Sequence, residues 1–335
     1  MIIPVSCKTG KYDIVLQKGA LENAGTICNL NRKVLIVTDD GVPCEYAQTV
    51  AKQCKEPVVV TLPQGEATKC FESYKQLLSK MVSENFTRSD CVVAVGGGVM
   101  GDLAGFVAAS FMRGVDFYNI PTTVLSQVDS SIGGKVAIDF DGYKNLVGAF
   151  YQPKAVIIDT NVLETLSARQ KANGLAEAVK MAMTSNDELF ELFEKEDIEE
   201  NLQKIIYESL MIKKSVVEQD EKETGLRKIL NFGHTVAHAI ESDNEMKNLY
   251  HGECVALGMI PMCSEKVRNR LTVVLEKIGL PIKIDCDIER IVEAMKHDKK
   301  KSGDSITVIS VEQIGQFKME DVPFEHLVCK MKEVL

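Results

Sequence analysis

In the first 160 residues, short apolar runs alternate with segments of helical periodicity. The helical segments are "EYAQTVAKQC", "KCFESYKQLLSKMVSEN" and "GDLAGFVAASF". The apolar runs around them are "KVLIVTDD" (33–40), "PVVVTLP" (57–63), "DCVVAVGGG" (90–98), "DFYNIPTTV" (116–124) and "KAVIIDT" (154–160). Strands that alternate with helices predict βαβ units and a parallel sheet, whose ligands collect at the carboxyl ends of the strands.

The pattern changes after residue 162, where most segments have helical spacing. We therefore predict an α/β domain with a parallel, Rossmann-like sheet over residues 1–162 and a mostly α-helical domain over residues 163–335. One uninterrupted stretch of helical spacing runs over residues 187–221, and "SITVISVEQIGQFKM" (305–319) predicts a small hairpin near the end.

The charge and the cysteines limit the class of partner and the compartment. A net charge of −9 argues against binding to nucleic acid or to an anionic membrane, because phosphate groups need a basic surface. A small anionic substrate in a local basic pocket remains compatible with this charge. The ten cysteines form no CxxC motif, and neither a signal peptide nor an apolar run of membrane-spanning length is present. We expect reduced thiols and a cytoplasmic protein.

The segment "VAVGGGVMGDLAG" follows a predicted strand and precedes a predicted helix. Its Gly96, Gly98 and Gly101 match G-x-G-x-x-G, a pattern that brings backbone amides close to a pyrophosphate. The alternative is a tight turn that needs glycine only for packing. Asp39, at the end of an earlier strand, is a candidate acceptor for a ribose hydroxyl, or else a solvated carboxylate.

Two of the five histidines, His234 and His238, lie four residues apart in "ILNFGHTVAHAIE". Such spacing places both on one helix face, but a glutamate beside the first histidine is missing, so a zinc-protease motif is excluded. The alternative is a pair that bonds to local backbone or carboxylates. His251 in "HGECVALGM" and Glu177 in "GLAEAVKMA" supply further ligand types. One glutamate and two histidines leave a coordination position open, which is typical of catalytic zinc. One histidine of the pair then binds the metal and the other faces the substrate.

Basic and polar side chains also lie among glycines and apolar residues, where a surface role is less natural. In "QVDSSIGGK", Asp129 and Lys135 flank a Gly-Gly turn that suits an anion. Arginine binds carboxylate or phosphate in bidentate fashion and lysine acts as a point charge, so an anionic small molecule is favoured over simple solubilisation. The other members of the set are Arg113, Lys144, Asn145, Lys213, Arg227 and Asn231.

The blocks "GGGVMGDLAGFVAASFMRGVDFYNIPTTVLSQVDSSIGGKVAID", "KNLVGAFYQP", "GLAEAVKMA", "DEKETGLRKILNFGHTVAHAIE" and "HGECVALGM" together resemble the 3-dehydroquinate synthase family. The resemblance runs in order from about residue 35 to residue 303. It implies a lyase of the shikimate pathway that converts 3-deoxy-arabino-heptulosonate 7-phosphate to 3-dehydroquinate and phosphate. It also implies NAD in the α/β domain, zinc (with cobalt as a substitute) in the helical domain, a homodimer and a cytoplasmic location.

The resemblance implies a role for individual residues. The metal ligands are Glu177, His234 and His251, while His238 is a phosphate or proton-transfer partner. Arg227 holds the substrate carboxylate, and Asp129, Lys180 and Lys213 contact ring hydroxyls. The phosphate is surrounded by Arg113, which reaches towards a neighbouring subunit, and by Lys135, Asn145, Asn231 and Lys299 or Lys300. The NAD-binding positions are Asp39, Glu66, Lys69, Gly97, Gly98, Val99, Asp102, Thr122, Thr123, Lys135 and Lys144.

The implied reaction explains these residue types. NAD oxidises a substrate alcohol to a ketone, which acidifies the neighbouring proton. Phosphate is eliminated, the hydride returns, and an intramolecular aldol step closes the ring. The chain departs from the family pattern at Gly41, Ser167 and Ala237. Rival interpretations are a sugar phosphate cyclase without an arginine for a carboxylate, a metal-dependent polyol dehydrogenase, and a non-catalytic nucleotide sensor.

Overall fold

The computed structural model describes residues 1–243, 248–284, 288–299 and 305–335, with the backbone alone at 297–299. The chain divides into two compact units. The first consists of Met1–Leu166 and Lys213–Lys222, and the second of Ser167–Ile212 and Glu223–Leu335. The boundary of independently folding domains at residue 162 stays a prediction.

The first unit is built on a seven-stranded sheet in the order β1-β2-β9-β6-β5-β3-β4. Strands β1 and β2 pair antiparallel, and the other neighbours are parallel. A separate hairpin pairs β7 with β8. The strands are β1 (Ile2–Ser6), β2 (Lys11–Leu16), β3 (Lys33–Asp39), β4 (Glu56–Leu62), β5 (Cys91–Gly96), β6 (Asp116–Pro121), β7 (Lys135–Phe140), β8 (Tyr143–Phe150) and β9 (Ala155–Ile158). Its helices are α1 (Ala24–Ile27), α2 (Cys44–Ala51), α3 (Phe71–Ser83) and α4 (Gly98–Ser110).

Strands β3 and β5 lie next to each other as interior strands of this sheet, and β5 is buried along its whole length. The chain leaves β3 towards β4 on one side and then crosses to β5 on the other, so its direction along the sheet reverses between β3 and β5. Ligands of open α/β sheets bind at such a reversal, beside the carboxyl ends of the strands. Asp39 and Gly96 are the last residues of these two strands.

Helices α3 and α4 cover one face of the sheet and form its core. Leu77 and Met81 of α3 and Leu103 of α4 are inaccessible to solvent and belong to one buried cluster with Val92 of β5. Helix α4 carries small residues where it meets the hairpin, since a Cβ at Gly105 would lie 2.4 Å from Val136 Cγ1. Glycine therefore sets the distance between α4 and β7.

The second unit is mostly helical. Side-chain oxygens cap two of its helices, because Ser167 accepts from Gln170 N and Asn186 accepts from Leu189 N. Its elements are α5 (Ala168–Ser185), α6 (Asp187–Lys195), α7 (Leu202–Gln219, whose part from Lys213 belongs to the first unit), α8 (His234–Ser242), α9 (His251–Met259), α10 (Glu265–Lys277), α11 (Ile288–Lys299), the antiparallel hairpin β10 (Ser305–Ser310) and β11 (Lys318–Pro323), and α12 (Phe324–Val334).

The predicted fold class is confirmed, and several local predictions are corrected. The helical stretch over 187–221 is two helices, since Glu196 adopts an extended backbone that ends α6. The segment "ILNFGHTVAHAIE" is α-helical only from His234, after a 3-10 segment and a left-handed Gly233. The hairpins β1–β2 and β7–β8 and helix α12 were not predicted. Among the described residues, no helix combines the length and the apolar character needed to cross a bilayer.

Candidate active site

Glu177, His234 and His251 come together in the second unit. One ligand atom from each lies within 4.8 Å of the other two. His251 Nε2 is 3.2 Å and His234 Nε2 is 3.7 Å from Glu177 Oε1. Glu177 lies in the middle of α5, whereas His234 and His251 are the first residues of α8 and α9. The structure thus groups the three residues that the family pattern implies as ligands; their binding of a metal stays a prediction.

Glycines on α9 allow the three helices to approach closely enough for this grouping. A Cβ on Gly252 would lie 2.0 Å from the Asn173 carbonyl oxygen, and one on Gly258 would lie 2.1 Å from the Gly233 carbonyl oxygen. The Gly252 amide also donates to Asn173 Oδ1 at 2.6 Å. Helix α9 therefore packs directly against the backbone of α5 and against the residue that precedes α8.

An ion-pair network fixes the first turn of α9. The Tyr250 amide donates to Glu253 Oε2 at 2.7 Å, which is the glutamate half of a capping box. Arg169 of α5 donates to both carboxylate oxygens of Glu253, at 2.7 and 2.8 Å, and its guanidinium lies 4.3 Å from the centre of the Tyr250 ring. Bidentate pairing adds geometric specificity, so this network holds the start of α9, and with it His251, against α5.

Burial and neighbouring charges shift the pKa values of Glu177, His234 and His251 in different ways. Burial raises the pKa of Glu177, but the charge of Lys180 and the hydrogen bond from His251 outweigh it and hold that pKa well below its usual value. Burial and the Lys180 charge lower the pKa of His234 to about 3. Burial also lowers the pKa of His251, yet Glu177 and Glu241 raise it to about 10. At neutral pH the metal-free site thus holds an ionised Glu177, a neutral His234 and a protonated His251.

Both ligand histidines have their second ring nitrogen engaged. His234 Nδ1 is 3.2 Å from the Phe232 carbonyl oxygen, which only accepts, so Nδ1 is the donor. His251 Nδ1 is 2.7 Å from Glu241 Oε1. Each ring accordingly presents Nε2 to Glu177.

His238, Arg227 and Asn231, which the family resemblance assigns to the substrate, also lie in the second unit. The ring of His238 is 5.5 Å from that of His234, edge to face. Arg227 is buried in the 3-10 segment before α8, and Asn231, which ends that segment, donates to Glu223 Oε1 at 2.6 Å. Lys300 lies outside the described residues, and of Lys299 only the backbone is described, at the end of α11.

In the first unit, the glycine turn lies at the carboxyl edge of the sheet. Gly97 caps α4, and a Cβ on Gly98 would lie 2.9 Å from Ser130 Oγ. Asp39 accepts from the Gly41 amide at 2.9 Å, and burial raises the pKa of Asp39. Thr122, after β6, donates its amide to the Gly96 carbonyl oxygen, with Thr123 next in the chain. Val99 follows in the first turn of α4.

Lys69 links helix α4, which follows the glycine turn, to the hairpin β7–β8. Its ammonium lies 2.6 Å from Asp102 Oδ2 of α4 and 3.8 Å from Glu66 Oε1, and it donates to Asn145 Oδ1 of β8. Burial raises the pKa of Asp102 to about 6 although Lys69 opposes the shift. Asn145 itself adopts a left-handed backbone with a φ of 55°. Its neighbour Lys144 is exposed.

Lys213 and Asp129 form a second ion pair in this unit. The Lys213 ammonium lies 2.5 Å from Asp129 Oδ1 and also contacts the Asp129 carbonyl oxygen. Asp129 lies in a π-helical turn, Ser126–Ser130, a geometry that is frequent at functional sites. Lys135, the first residue of β7, and Arg113, with a φ of 71°, are both exposed.

The structure adds residues that the sequence interpretation left out. Glu241 contacts His251, and the signal for it was its position seven residues after His234, which places both on one helix face. Arg169 and Glu253 clamp the start of α9, but nothing in their local sequence separates them from exposed charges. Glu221 accepts from Thr9 and Gln152 and holds the Lys213–Lys222 segment in place.

Comparisons with known proteins cover the whole chain. Residues 59–173 match the 3-dehydroquinate synthase N-terminal family and residues 174–301 match the 3-dehydroquinate synthase C-terminal family. A 3-dehydroquinate synthase of Streptococcus thermophilus is 38% identical over 100% of this chain and 99% of its own length.

Two solved structures have the same fold. A 2-deoxy-scyllo-inosose synthase complexed with carbaglucose-6-phosphate, NAD+ and Co2+ has a TM-score of 0.90 at 24% identity and is covered in full, as is this chain. The 2-epi-5-epi-valiolone synthase ValA of Streptomyces hygroscopicus subsp. jinggangensis, with NAD+ and Zn2+ bound, has a TM-score of 0.86 at 25% identity, with 98% of each chain covered. Identity is clearly higher to the dehydroquinate enzyme than to either of these cyclases, and both halves of the chain match its family: the chain belongs to the 3-dehydroquinate synthase family.

Proposed function

We propose that the chain is a 3-dehydroquinate synthase, which converts 3-deoxy-arabino-heptulosonate 7-phosphate to 3-dehydroquinate and inorganic phosphate with NAD and one divalent metal ion. The observation that carries the proposal is the convergence of His234 and His251 on the buried Glu177, in a chain whose residues 59–301 match the N- and C-terminal families of 3-dehydroquinate synthase. The two structural relatives that bind NAD+ together with Co2+ or Zn2+ support the same cofactors here.

The donor set of the second unit fits zinc. Two imidazoles and one carboxylate suit this ion and leave a coordination position open for substrate. Apart from its ion pair with Lys180, the buried Glu177 Oε2 has no hydrogen-bond donor among the described residues, so this oxygen retains capacity for a cation. A zinc ion held by these three residues would act as a Lewis acid on the substrate hydroxyl and on the ketone formed from it.

The carboxyl edge of the first sheet fits NAD. Asp39 and the turn Gly97–Val99 lie at the topological reversal, where the helix α4 N-terminus favours a pyrophosphate. Two hydroxyls near this edge, Thr38 Oγ1 and Ser130 Oγ, are buried and have no hydrogen-bond partner in the described part of the chain. The nicotinamide would take up a hydride and return it, so that no net oxidation results.

The remaining residues bind and orient the substrate. We assign the carboxylate to the buried Arg227, since a guanidinium binds it in bidentate fashion, and the ring hydroxyls to Lys180, Lys213 and Asp129. The ion pair with Asp129 holds the Lys213 ammonium in a fixed position. The residues assigned to the phosphate or to its proton are Arg113, Lys135, Asn145, Asn231, His238 and Lys299 or Lys300. The assigned NAD contacts are Asp39, Glu66, Lys69, Gly97, Gly98, Val99, Asp102, Thr122, Thr123, Lys135 and Lys144.

The test is release of inorganic phosphate from the heptulosonate phosphate with a catalytic amount of NAD. We expect many turnovers per NAD, no accumulation of NADH, and loss of activity in a metal chelator that zinc or cobalt restores. Steady NADH formation from a polyol would indicate a dehydrogenase instead. Turnover of a hexose phosphate that lacks the carboxylate, with none of the heptulosonate, would indicate one of the related cyclases.

An Arg227→Lys variant tests the carboxylate assignment within the same assay. Lysine keeps the charge but cannot bind in bidentate fashion, so we expect a higher KM for the heptulosonate phosphate and an unchanged affinity for NAD. The matched control is Arg268→Lys, a change on α10 outside the assigned set. An equal rise of KM in both variants would refute the assignment.

We also propose that the protein is a cytoplasmic homodimer that binds no nucleic acid. Ten scattered cysteines without a CxxC motif fit a reducing compartment, and the net charge of −9 fits the absence of a polyanionic partner. Sedimentation equilibrium across a range of protein concentrations measures the assembly, and a monomer at all of them would contradict the dimer.

A further inference from the structure

We propose that Glu241 is a positioning residue for His251: it accepts the hydrogen bond of Nδ1–H and so leaves Nε2 as the ligand atom. The inference rests on the proposed metal site and deepens it, since it assigns a function to a carboxylate outside the three ligands. Glu241 is not proposed to touch the metal or the substrate.

The contact between the two residues is short, and the carboxylate is better shielded from water than the imidazole, which is 33% exposed. His251 Nδ1 and Glu241 Oε1 are 2.7 Å apart, and the Glu241 side chain is only 12% exposed. The opposite nitrogen of the same ring, Nε2, is 3.2 Å from Glu177 Oε1. The imidazole of His251 therefore lies between two carboxylates, one in the ligand group and one outside it.

Helix α8 carries both the other histidine ligand and this carboxylate. His234 and Glu241 are seven residues apart, which is two turns, so their side chains leave the helix on the same face. His251, at the start of α9, meets this face of α8: its ring centre is 5.3 Å from that of His234, and its Nδ1 reaches Glu241. A single helix thus supplies one ligand and orients the second.

The same arrangement recurs at His234 with a different acceptor. The Nδ1 of His234 lies 3.2 Å from the Phe232 carbonyl oxygen, and its Nε2 faces Glu177. Both rings are thereby set in the tautomer that carries a proton on Nδ1 when neutral. A carbonyl is a neutral acceptor, whereas Glu241 is ionisable, and a carboxylate on Nδ1–H makes Nε2 a more basic ligand. Partners of this kind typically change metal affinity by about 10- to 100-fold when they are removed.

The alternative is that Glu241 only stabilises the packing of α8 against α9. In that case its removal would lower the stability of the metal-free protein but would leave the metal site unchanged. The two roles are separated by measuring metal affinity and the visible spectrum of bound cobalt, because neither depends on the free energy of unfolding while the protein stays folded.

The experiment uses full-length protein that has been stripped of metal. Zinc affinity is measured by competition with a chromophoric chelator for wild type, Glu241→Gln, Glu241→Ala and His251→Ala. The control is Glu194→Gln, since Glu194 is a partly buried glutamate of the same unit that pairs with Arg270 and not with a histidine. Circular dichroism establishes which variants are folded, and the isosteric Glu241→Gln serves if Glu241→Ala does not fold.

We expect zinc affinity about 10- to 100-fold weaker in Glu241→Ala, a smaller loss in Glu241→Gln, whose amide oxygen still accepts, and a shifted cobalt absorption in both. Glu194→Gln should match wild type. Zinc affinity and cobalt spectra equal to wild type in both folded Glu241 variants would overturn the positioning role, as would an equal loss in Glu194→Gln. If His251→Ala also bound zinc like wild type, the metal site itself would be wrong, which is a different failure.

Discussion

Glu177 and Lys180 lie one turn apart on α5 and form an ion pair that is almost completely buried. Glu177 has no exposed surface and the Lys180 side chain is 2% exposed. Desolvation of two charges is costly, and a buried pair whose partner is removed leaves an uncompensated charge. At this site a bound cation is the natural second source of compensation for Glu177.

Lys180→Met should therefore destabilise the metal-free protein by up to about 3–5 kcal/mol, because Glu177 loses its fully buried partner and keeps only the partly exposed, protonated His251. Saturating zinc should reduce this loss, since the metal would neutralise the same carboxylate. Urea denaturation with and without zinc measures both values. The control is Lys195→Met, which breaks an exposed pair with Glu191 on α6 and should leave stability unchanged. If zinc did not reduce the loss of stability, Glu177 would not be a ligand of the metal.

Gly258→Ala should destabilise the second unit and weaken zinc binding. Alanine is the better helix former by about 1 kcal/mol, but its Cβ would lie 2.1 Å from the Gly233 carbonyl oxygen, and a backbone atom cannot rotate away. We expect a net loss of about 1–3 kcal/mol as α9 moves away from the start of α8. Thermal denaturation and chelator competition measure the two effects. Gly10→Ala, whose Cβ would make ordinary contacts of 3.5 and 3.6 Å with Gln152, is the matched change and should be neutral.

Protonation of Glu221 should make the first unit less stable in acid. Burial raises its pKa, but hydrogen bonds from Thr9, Gln152 and the backbone outweigh burial and lower the pKa below the ordinary 4.5. A depressed carboxyl pKa means that the stabilisation is present above pH 4.5 and is lost as pH falls through the folded-state value. Glu221→Gln should thus cost about 1.5–3 kcal/mol at pH 7 and progressively less in acid.

Urea denaturation from pH 7 into acid measures the free energy of unfolding of wild type and of Glu221→Gln, and hence the difference between them. The exposed Glu164→Gln is the control and should follow wild type at every pH. A gap that stays constant from pH 7 into strong acid would mean that the ionised form of Glu221 is not the one that the fold stabilises.

Lys69→Met should lower stability more at pH 8 than at pH 5. Burial already raises the pKa of Asp102 to about 6 in the presence of Lys69, and removal of that ammonium must raise it further. In the variant, folded Asp102 holds a proton that the unfolded chain releases near pH 3.8. The free energy of unfolding therefore declines as pH rises from 3.8 to the folded-state pKa of Asp102. The double variant Lys69→Met/Asp102→Asn should remove the decline. If the double variant keeps it, another group is responsible.

Strands β3 and β5 could be predicted from sequence because central strands of a parallel sheet are buried on both faces and read as continuous apolar runs. The hairpin β7–β8 could not, since β8 is exposed along almost its whole length and carries neither an apolar run nor a buried alternation. Helix periodicity continues through residues 196–201, and the break there depends on the backbone of Glu196, which ends α6 in an extended conformation.

At the site, residue types and spacing were enough to nominate Glu177, His251 and one histidine of the pair His234 and His238, and the family resemblance selected His234. The role of Glu241, in contrast, depends on a contact between α8 and α9. That contact is set by Gly233 and Gly258, whose close approach is a property of the packed helices and not of either local sequence. Likewise, Lys69 could be nominated from the family resemblance, while its burial between Asp102 and Asn145 appears only once α4 and β8 are folded.

Helix α7 contributes its carboxyl-terminal part to the first unit, although α5 and α6 come between in the chain. A recombinant piece ending at Leu166 would consequently leave Asp129 without Lys213, and Thr9 and Gln152 without Glu221. Restoring these contacts should require the Lys213–Lys222 segment, either fused to the piece or added as a peptide, because a single cut at Leu166 does not separate the two compact units.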